Sequence, residues 1–290
     1  NHLTKGYLTQ ADRDMLINAI QASNLSQAEK DALITQLKNI SFLSYEDQKR
    51  ILDALETGSS AEYISGDNVT YILTKGKDGQ LTVSLKTLNG TTDLVIPNSL
   101  TIAGHTFAVT GIGDKAFKDN KELKTVTIPG NVATIGKSAF ENCTALTKVA
   151  TTKGLITIGD KAFKGCTNLT SFSCPETVRT IGNSAFEGCK KLTKVTLNNG
   201  LLKIGKRAFY KTALKKVAIP KSVVQIGNEA FANCYKLKTV TFKEYAVSQL
   251  AILGKGVFAN DKVLGKISIP AKLSKIQEKT FYKCKKITSV

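Results

Sequence analysis

Six cysteines are the residues of this 290-residue chain best suited to chemistry, as metal ligands or as disulfides. Their positions argue for neither. Cys143, Cys166, Cys189, Cys234 and Cys284 each fall three residues after a phenylalanine that closes a recurring phrase, and Cys174 falls on a predicted strand. Zinc needs thiols converging on one point, commonly as Cys-x-x-Cys, and the chain has no such pair. Stacking copies of the phrase would bring Cys143, Cys166 and Cys189 to about the 4.4–6.8 Å Cα separation of a disulfide. Three in a row leave one over, however, and Asp261 stands in the copy between those of Cys234 and Cys284. A thiol recurring at one core register behaves as a small hydrophobe, so six buried free thiols are expected. Catalysis has little to work with. His2 lies at the terminus, and His105 lies in a predicted turn, Ala103-Gly104-His105-Thr106, without an acid or nucleophile partner. Asp114 and Asp160 read as helix caps rather than as a catalytic carboxylate pair. No glycine-rich loop opens a long helix, so nucleotide motifs are absent. No enzyme activity, cofactor or metal is expected.

The other chemistry on offer is electrostatic. Residues 1–58 hold six basic and eight acidic residues, whereas residues 59–290 hold 35 and 15, so the net charge of +18 belongs to the second part. Such a surface attracts polyanions (nucleic acid, cell-wall polyphosphate, acidic glycan, a membrane surface) or serves solubility. Nucleic acid is the weakest of these: aromatics are 7%, tryptophan is missing, and stacking platforms are scarce. The lysines are ordered. If the predicted strands stack, one outward column reads Thr125, Lys148, Ser171, Lys194, Lys216, Thr239, Lys266, Ser289. Its companion reads Thr127, Ala150, Ser173, Thr196, Ala218, Thr241, Ser268, small throughout, so a partner could approach the backbone. Lys194 and Lys216 on adjacent copies repel mildly, a cost that a bound anion would offset. The candidate partner-binding face is therefore Thr125, Thr127, Lys148, Ser171, Lys194, Thr196, Lys216, Thr239, Thr241 and Lys266.

A repeat must position these residues. An aliphatic residue, usually Gly, two variable residues, usually Ala, then Phe occurs eight times, ending at Phe117, Phe140, Phe163, Phe186, Phe209, Phe231, Phe258 and Phe281. Five copies are spaced by 23 residues, and the following intervals are 22, 27 and 23. That period marks a solenoid. Aligned, the copies give a preceding phrase Leu-x-x-Val-x-Ile-Pro, clearest at Leu123-Lys124-Thr125-Val126-Thr127-Ile128-Pro129. Val126 and Ile128 share one strand face, Thr125 and Thr127 the other, and Pro129 ends the strand. Gly113 and its equivalents are expected at positive φ. The spacing of Ala116, Phe117, Asn120 and Leu123 predicts a short helical turn behind the strand. Asn198 and Lys243 replace the strand-ending proline, residues 243–252 lengthen one coil, and the copy at Phe209 lacks one residue around Lys211-Thr212-Ala213.

Upstream, Thr9-Gln10-Ala11-Asp12, Ser26-Gln27-Ala28-Glu29 and Ser44-Tyr45-Glu46-Asp47 resemble capping boxes. Each is followed by apolar residues at helical spacing, such as Ile51, Leu52 and Leu55, so three short helices are expected, ending at Gly58-Ser59-Ser60. Residues 61–110 alternate like strands. Tyr71-Ile72-Leu73 and Leu81-Thr82-Val83-Ser84-Leu85 flank the turn Lys77-Asp78-Gly79-Gln80, and Leu94-Val95-Ile96-Pro97 follows, an irregular cap for the first coil.

These phrases resemble the BspA-like leucine-rich repeats of bacterial surface proteins over residues 69–290. The resemblance implies a secreted or surface-anchored adhesin, extracellular or at the cell surface, with no enzyme activity and no cofactor. The fold class is α+β: a leucine-rich-repeat solenoid of about eight coils of about 23 residues, with a parallel strand ladder, preceded by a small helical bundle. Three domains are expected: 1–60 helical, 61–110 the β cap, 111–290 the solenoid. The partner would be a protein or an anionic glycan or wall polymer. A spacer without a ligand is the alternative. No run is apolar enough to span a membrane, and Asn1-His2-Leu3-Thr4-Lys5-Gly6 lacks a signal-peptide core. Lys285-Lys286-Ile287-Thr288-Ser289-Val290 matches the opening of another strand, so further repeats or a cap are expected.

Overall fold

A computed structural model describes residues 10–38, 43–64, 69–88, 90, 92–288 and 290. Three helices come first: α1 (Gln10–Ala22), α2 (Gln27–Lys38) and α3 (Tyr45–Glu56). Two of the expected caps form. The Ser26 and Glu29 backbone N–H groups donate to each other's side chains (2.9 and 3.4 Å), and the Asp47 N–H donates to Ser44 (3.1 Å). Thr9 and His2 lie outside the described residues. Ile51 and Leu55 bury one face of α3.

The antiparallel strands β1 (Ala61–Ile64), β2 (Thr70–Lys75) and β3 (Leu81–Thr87) follow. Gly79 takes φ +82° in the β2–β3 turn, a conformation glycine adopts without a Cβ clash. The phrase Leu94-Val95-Ile96 gives β4 (Asp93–Val95), then come β5 (Ser99–Ile102) and β6 (His105–Ile112). His105 opens β6, exposed. By its contacts the chain divides into two compact units, Asn1–Thr91 with Pro97–Thr110, and Thr92–Ile96 with Gly111–Val290. Residue 60, where a domain boundary was expected, lies within the first unit. There Gln48 of α3 accepts the Ala103 N–H (3.1 Å) and donates to the Leu43 carbonyl (3.0 Å).

The second unit is the solenoid. Each regular coil carries one longer strand and one of two residues. The longer set is β7 (Thr125–Ile128), β9 (Lys148–Thr151), β11 (Ser171–Ser173), β13 (Lys194–Thr196), β15 (Lys216–Ile219) and β17 (Thr239–Phe242). The short set is β8 (Thr134–Ile135), β10 (Thr157–Ile158), β12 (Thr180–Ile181), β14 (Lys203–Ile204), β16 (Gln225–Ile226) and β18 (Ile252–Leu253). The short strands pair in parallel from the end of β6 through β18. The longer strands form three separate parallel sheets, β4-β7-β9, β11-β13 and β15-β17. Among the described residues both strands are therefore present in six coils, against the eight expected.

Eight phenylalanine rings do stack, Phe117 through Phe281, with centroids 4.8–5.9 Å apart and planes within 15°. Seven of them are completely buried. The last phrase keeps its phenylalanine but not its strand: Gln277 stands where the other copies have glycine, and Ile276, at the core register, is 47% exposed.

Two expectations about the turn are corrected. The repeat glycine is not at positive φ. A Cβ on Gly159 would meet the Ile135 carbonyl oxygen at 2.7 Å, and one on Gly182 would meet the Asp160 nitrogen at 2.6 Å. Glycine is needed because the preceding coil lies against its Cα. Positive φ falls instead two residues later, at Lys115, Ser138, Lys161, Ser184, Arg207 and Glu229. It recurs two residues past the phenylalanine, as at Asp119 and Asn142. These left-handed residues break the expected helical turn into two tight turns. N–H groups of these turns bond the next coil, as from Lys161 to the Asn183 carbonyl (2.7 Å) and from Phe163 to Ala185 (2.7 Å).

Candidate functional site

Neither Asp114 nor Asp160 caps a helix. Each carboxylate accepts the N–H of the equivalent residue one coil on, Lys137 and Asn183, both at 2.7 Å. These are structural bonds between coils. Among the described residues no group of three or more His, Cys, Asp or Glu side chains could hold a metal ion.

The thiols have the same inter-coil role. Cys143, Cys166, Cys189, Cys234 and Cys284 each donate to the carbonyl of the repeat phenylalanine one coil back, at 2.9–3.2 Å. All six cysteines are free, and all but the half-buried Cys284 are buried. Burial pushes the Cys143 and Cys174 thiols up to about 12 and Cys284 to about 11, and raises Cys166, Cys189 and Cys234 as well. Enclosure and the raised pKa make the five buried thiols poor nucleophiles and poor ligands. Where a coil lacks cysteine, Thr212 lies 3.2 Å from the Cys234 sulfur, and Asp261 accepts the Cys234 N–H at 2.7 Å. Asp261 is fully buried, its second oxygen has no hydrogen-bond partner, and burial pushes its carboxyl up to about 9.

The chemistry left exposed is the outward side of the longer strands. Lys148, Ser171, Lys194, Thr196, Lys216, Thr239 and Thr241 are exposed there, and Thr125 and Thr127 are half-buried; Lys266 is exposed too, but the strand expected around it does not form, so it lies on a loop segment past β18. Register places Thr125 opposite Lys148 and Thr127 opposite Ala150. It places Ser171 opposite Lys194 and Ser173 opposite Thr196, and Lys216 opposite Thr239 and Ala218 opposite Thr241. The strand phrase explains this: Val195, Val217 and Val240 turn inward between these residues and are buried. Ser289 lies outside the described residues.

The face is continuous only within each sheet. β13 and β15 belong to different sheets, where the coil at Phe209 is one residue short before Leu214. An open depression of about 330 Å³ lies here, lined by Lys194, Thr196, Lys216, Thr239, Thr241 and Lys243 among others. A second, of about 300 Å³, is lined by Thr239, Thr241, Lys266 and Ser268.

Two contributors stand outside the columns that the sequence predicts. Lys243 takes the place of a strand-ending proline, a position with no claim to the outward face in the repeat phrase. Asp93 extends the first column because β4 pairs with β7. The Thr125 hydroxyl donates to Asp93 (2.6 Å), which holds that carboxyl below its ordinary range. A signal for Asp93 exists in the sequence, since Leu94 and Ile96 precede Pro97 just as Val126 and Ile128 precede Pro129.

A repeated strand phrase, a glycine-tight turn and a stacked phenylalanine in each coil define a leucine-rich-repeat solenoid. The chain belongs to the family described as BspA type Leucine rich repeat region, which it matches in six copies over residues 90–202 and 156–288. Among solved structures it is similar to the leucine rich repeat protein of T. pallidum, with 27% identity and a TM-score of 0.60 over 67% of this chain and 87% of that one. It shares its fold with a leucine rich cell surface protein from Faecalibacterium prausnitzii A2-165, at 23% identity and a TM-score of 0.50, over 81% of this chain and 83% of that one. No curated protein matches the sequence. No helix among the described residues is long and apolar enough to cross a membrane.

Proposed function

We propose that this chain is a non-enzymatic binding module that works outside the cell or at its surface, and that the outward face of its longer strands holds an anionic polymer. The extracellular placement rests on the family. The polymer rests on one observation, the ordered column of exposed lysines on that face, none of them paired with an acid among the described residues. Four basic residues of the turn edge meet acids one coil away: Lys118 with Glu141 (3.5 Å), Lys164 with Glu187 (3.7 Å), Arg207 with Glu187 and Glu229 (3.8 and 3.4 Å), Lys255 with Glu278 (3.5 Å). Lys148, Lys194 and Lys216 of the strand face, and Lys266 on the segment that follows β18, are in none of the ion pairs among the described residues. An array of unpaired ammonium groups spaced by the strand repeat supports attraction of a repeating anion. A folded protein partner is less favoured, because interface hot spots are enriched in Trp, Tyr and Arg, and these two columns offer lysine, hydroxyl and methyl groups.

The test replaces Lys148, Lys194, Lys216 and Lys266 with serine, which Ser171 already shows to be compatible with the register. Affinity for heparin and for a poly(glycerol phosphate) is measured against ionic strength. The variant should bind more weakly with a shallower salt dependence, since exposed charges are screened over about 10 Å at 0.1 M salt. Unchanged affinity and slope would overturn the reading. If the unaltered chain showed no saturable binding to any acidic polymer, the spacer alternative would stand.

A further inference from the structure

We infer that the hollow that opens at the seam between β13 and β15 and reaches across to β17 is a discrete seat for a single oxyanion group of an acidic polymer, with Lys194, Lys216 and Lys243 as its cationic walls and Thr196, Thr239 and Thr241 as hydroxyl donors. This deepens the polymer-binding reading and rests on it. Four observations converge. The longer-strand sheet is interrupted here, so β13 and β15 are not held in one ladder. The opening is a depression of about 330 Å³, at the small end of ligand-pocket sizes and in scale with one charged sugar unit. No acidic side chain lines it, and its three lysines take part in none of the ion pairs among the described residues. Lys243 arrives from the end of β17, held by its N–H bonding the Ile219 carbonyl (2.8 Å). It therefore adds a third charge to what would otherwise be one pair of neighbouring lysines.

Three ammonium groups around one hollow repel one another when it is empty, and an oxyanion among them relieves that repulsion. Their chemistry sets the ligand class. Lysine offers a point charge with rotatable donors, whereas arginine offers a planar fork matched to carboxylate. A lysine-and-hydroxyl seat therefore accepts sulfate, carboxylate or phosphate on a polymer, and the source of the oxyanion is for the experiment to distinguish.

The experiment compares two double variants of equal charge. Lys216→Ser with Lys243→Ser removes two of the three lysines of the seam, and Lys148→Ser with Lys266→Ser removes two exposed lysines outside it. Binding is measured to heparin, to polygalacturonate and to poly(glycerol phosphate) at one fixed ionic strength. The seam variant should lose about tenfold or more in affinity, the control about twofold. Acylation of the unaltered protein should show Lys194, Lys216 and Lys243 protected by bound polymer while Lys148 stays reactive. Equal losses in the two variants, with uniform protection, would leave polymer binding intact and overturn the seam. Absence of binding by the unaltered protein would instead overturn the polymer reading itself. The polymer bound most tightly names the oxyanion.

Discussion

Gly182 has a backbone any residue could adopt, yet a methyl group there would lie 2.6 Å from the Asp160 nitrogen. Gly188, six residues on, is the reverse: φ is +74°, and a methyl group added there would have its nearest neighbour 4.0 Å away. Gly182→Ala should therefore cost about 1–3 kcal/mol through overpacking, and Gly188→Ala about 1 kcal/mol through the left-handed backbone. Chemical denaturation of both variants checks the order; a larger loss at Gly188 would refute the close-approach account. Asp261 makes a second residue-scale prediction. Its folded carboxyl is raised to about 9 from an ordinary 3.8, so the folded state holds the proton more tightly than the unfolded chain. Its contribution to stability is full below about pH 4 and is lost as pH rises towards 9. Asp261→Asn keeps an acceptor for the Cys234 N–H and cannot ionise. It should flatten the stability profile across that window and be the more stable form at pH 8 by more than about 1 kcal/mol.

At the scale of elements, short strands survive because neighbours complete them. Two-residue strands such as β10 and β12 are no folding units alone; the ladder and the phenylalanine stack behind it hold them. In the first unit, α3 contributes the Gln48 side chain, whose oxygen satisfies the N–H of Ala103, a residue at φ +48° in the β5–β6 turn. Gln48→Ala leaves that buried donor unpaired and should cost about 1–3 kcal/mol, read as a lower melting transition. No change in that transition would show the bond to be dispensable.

Across the whole molecule, stability in a solenoid is a sum of coils and of nearest-neighbour contacts, so the coils need not open together. The thiols report this. Alkylation under native conditions should modify Cys284 first, because it is half-buried in the last coil, and leave the other five slow. In denaturant without reductant six thiols should be titrated. A count of four would show that stacked cysteines bridge after all.

Period, phrase and charge asymmetry are properties of the chain itself. They carried the solenoid, the phenylalanine column, the inward valines and the outward lysine and hydroxyl columns, because side-chain alternation and a fixed repeat follow from backbone geometry alone. The helix starts at Ser26 and Ser44 were legible for the same reason, since a cap bonds within four residues. Other features were decided between coils. Why the repeat glycine is glycine, what Asp160 and Cys166 bond, where the longer-strand sheet breaks and why Lys243 joins Lys194 and Lys216 all depend on atoms about 23 residues away in sequence and one strand spacing away in space. A sequence shows the period that makes such meetings regular. Only the folded coil shows what fills the gap between one turn and the next.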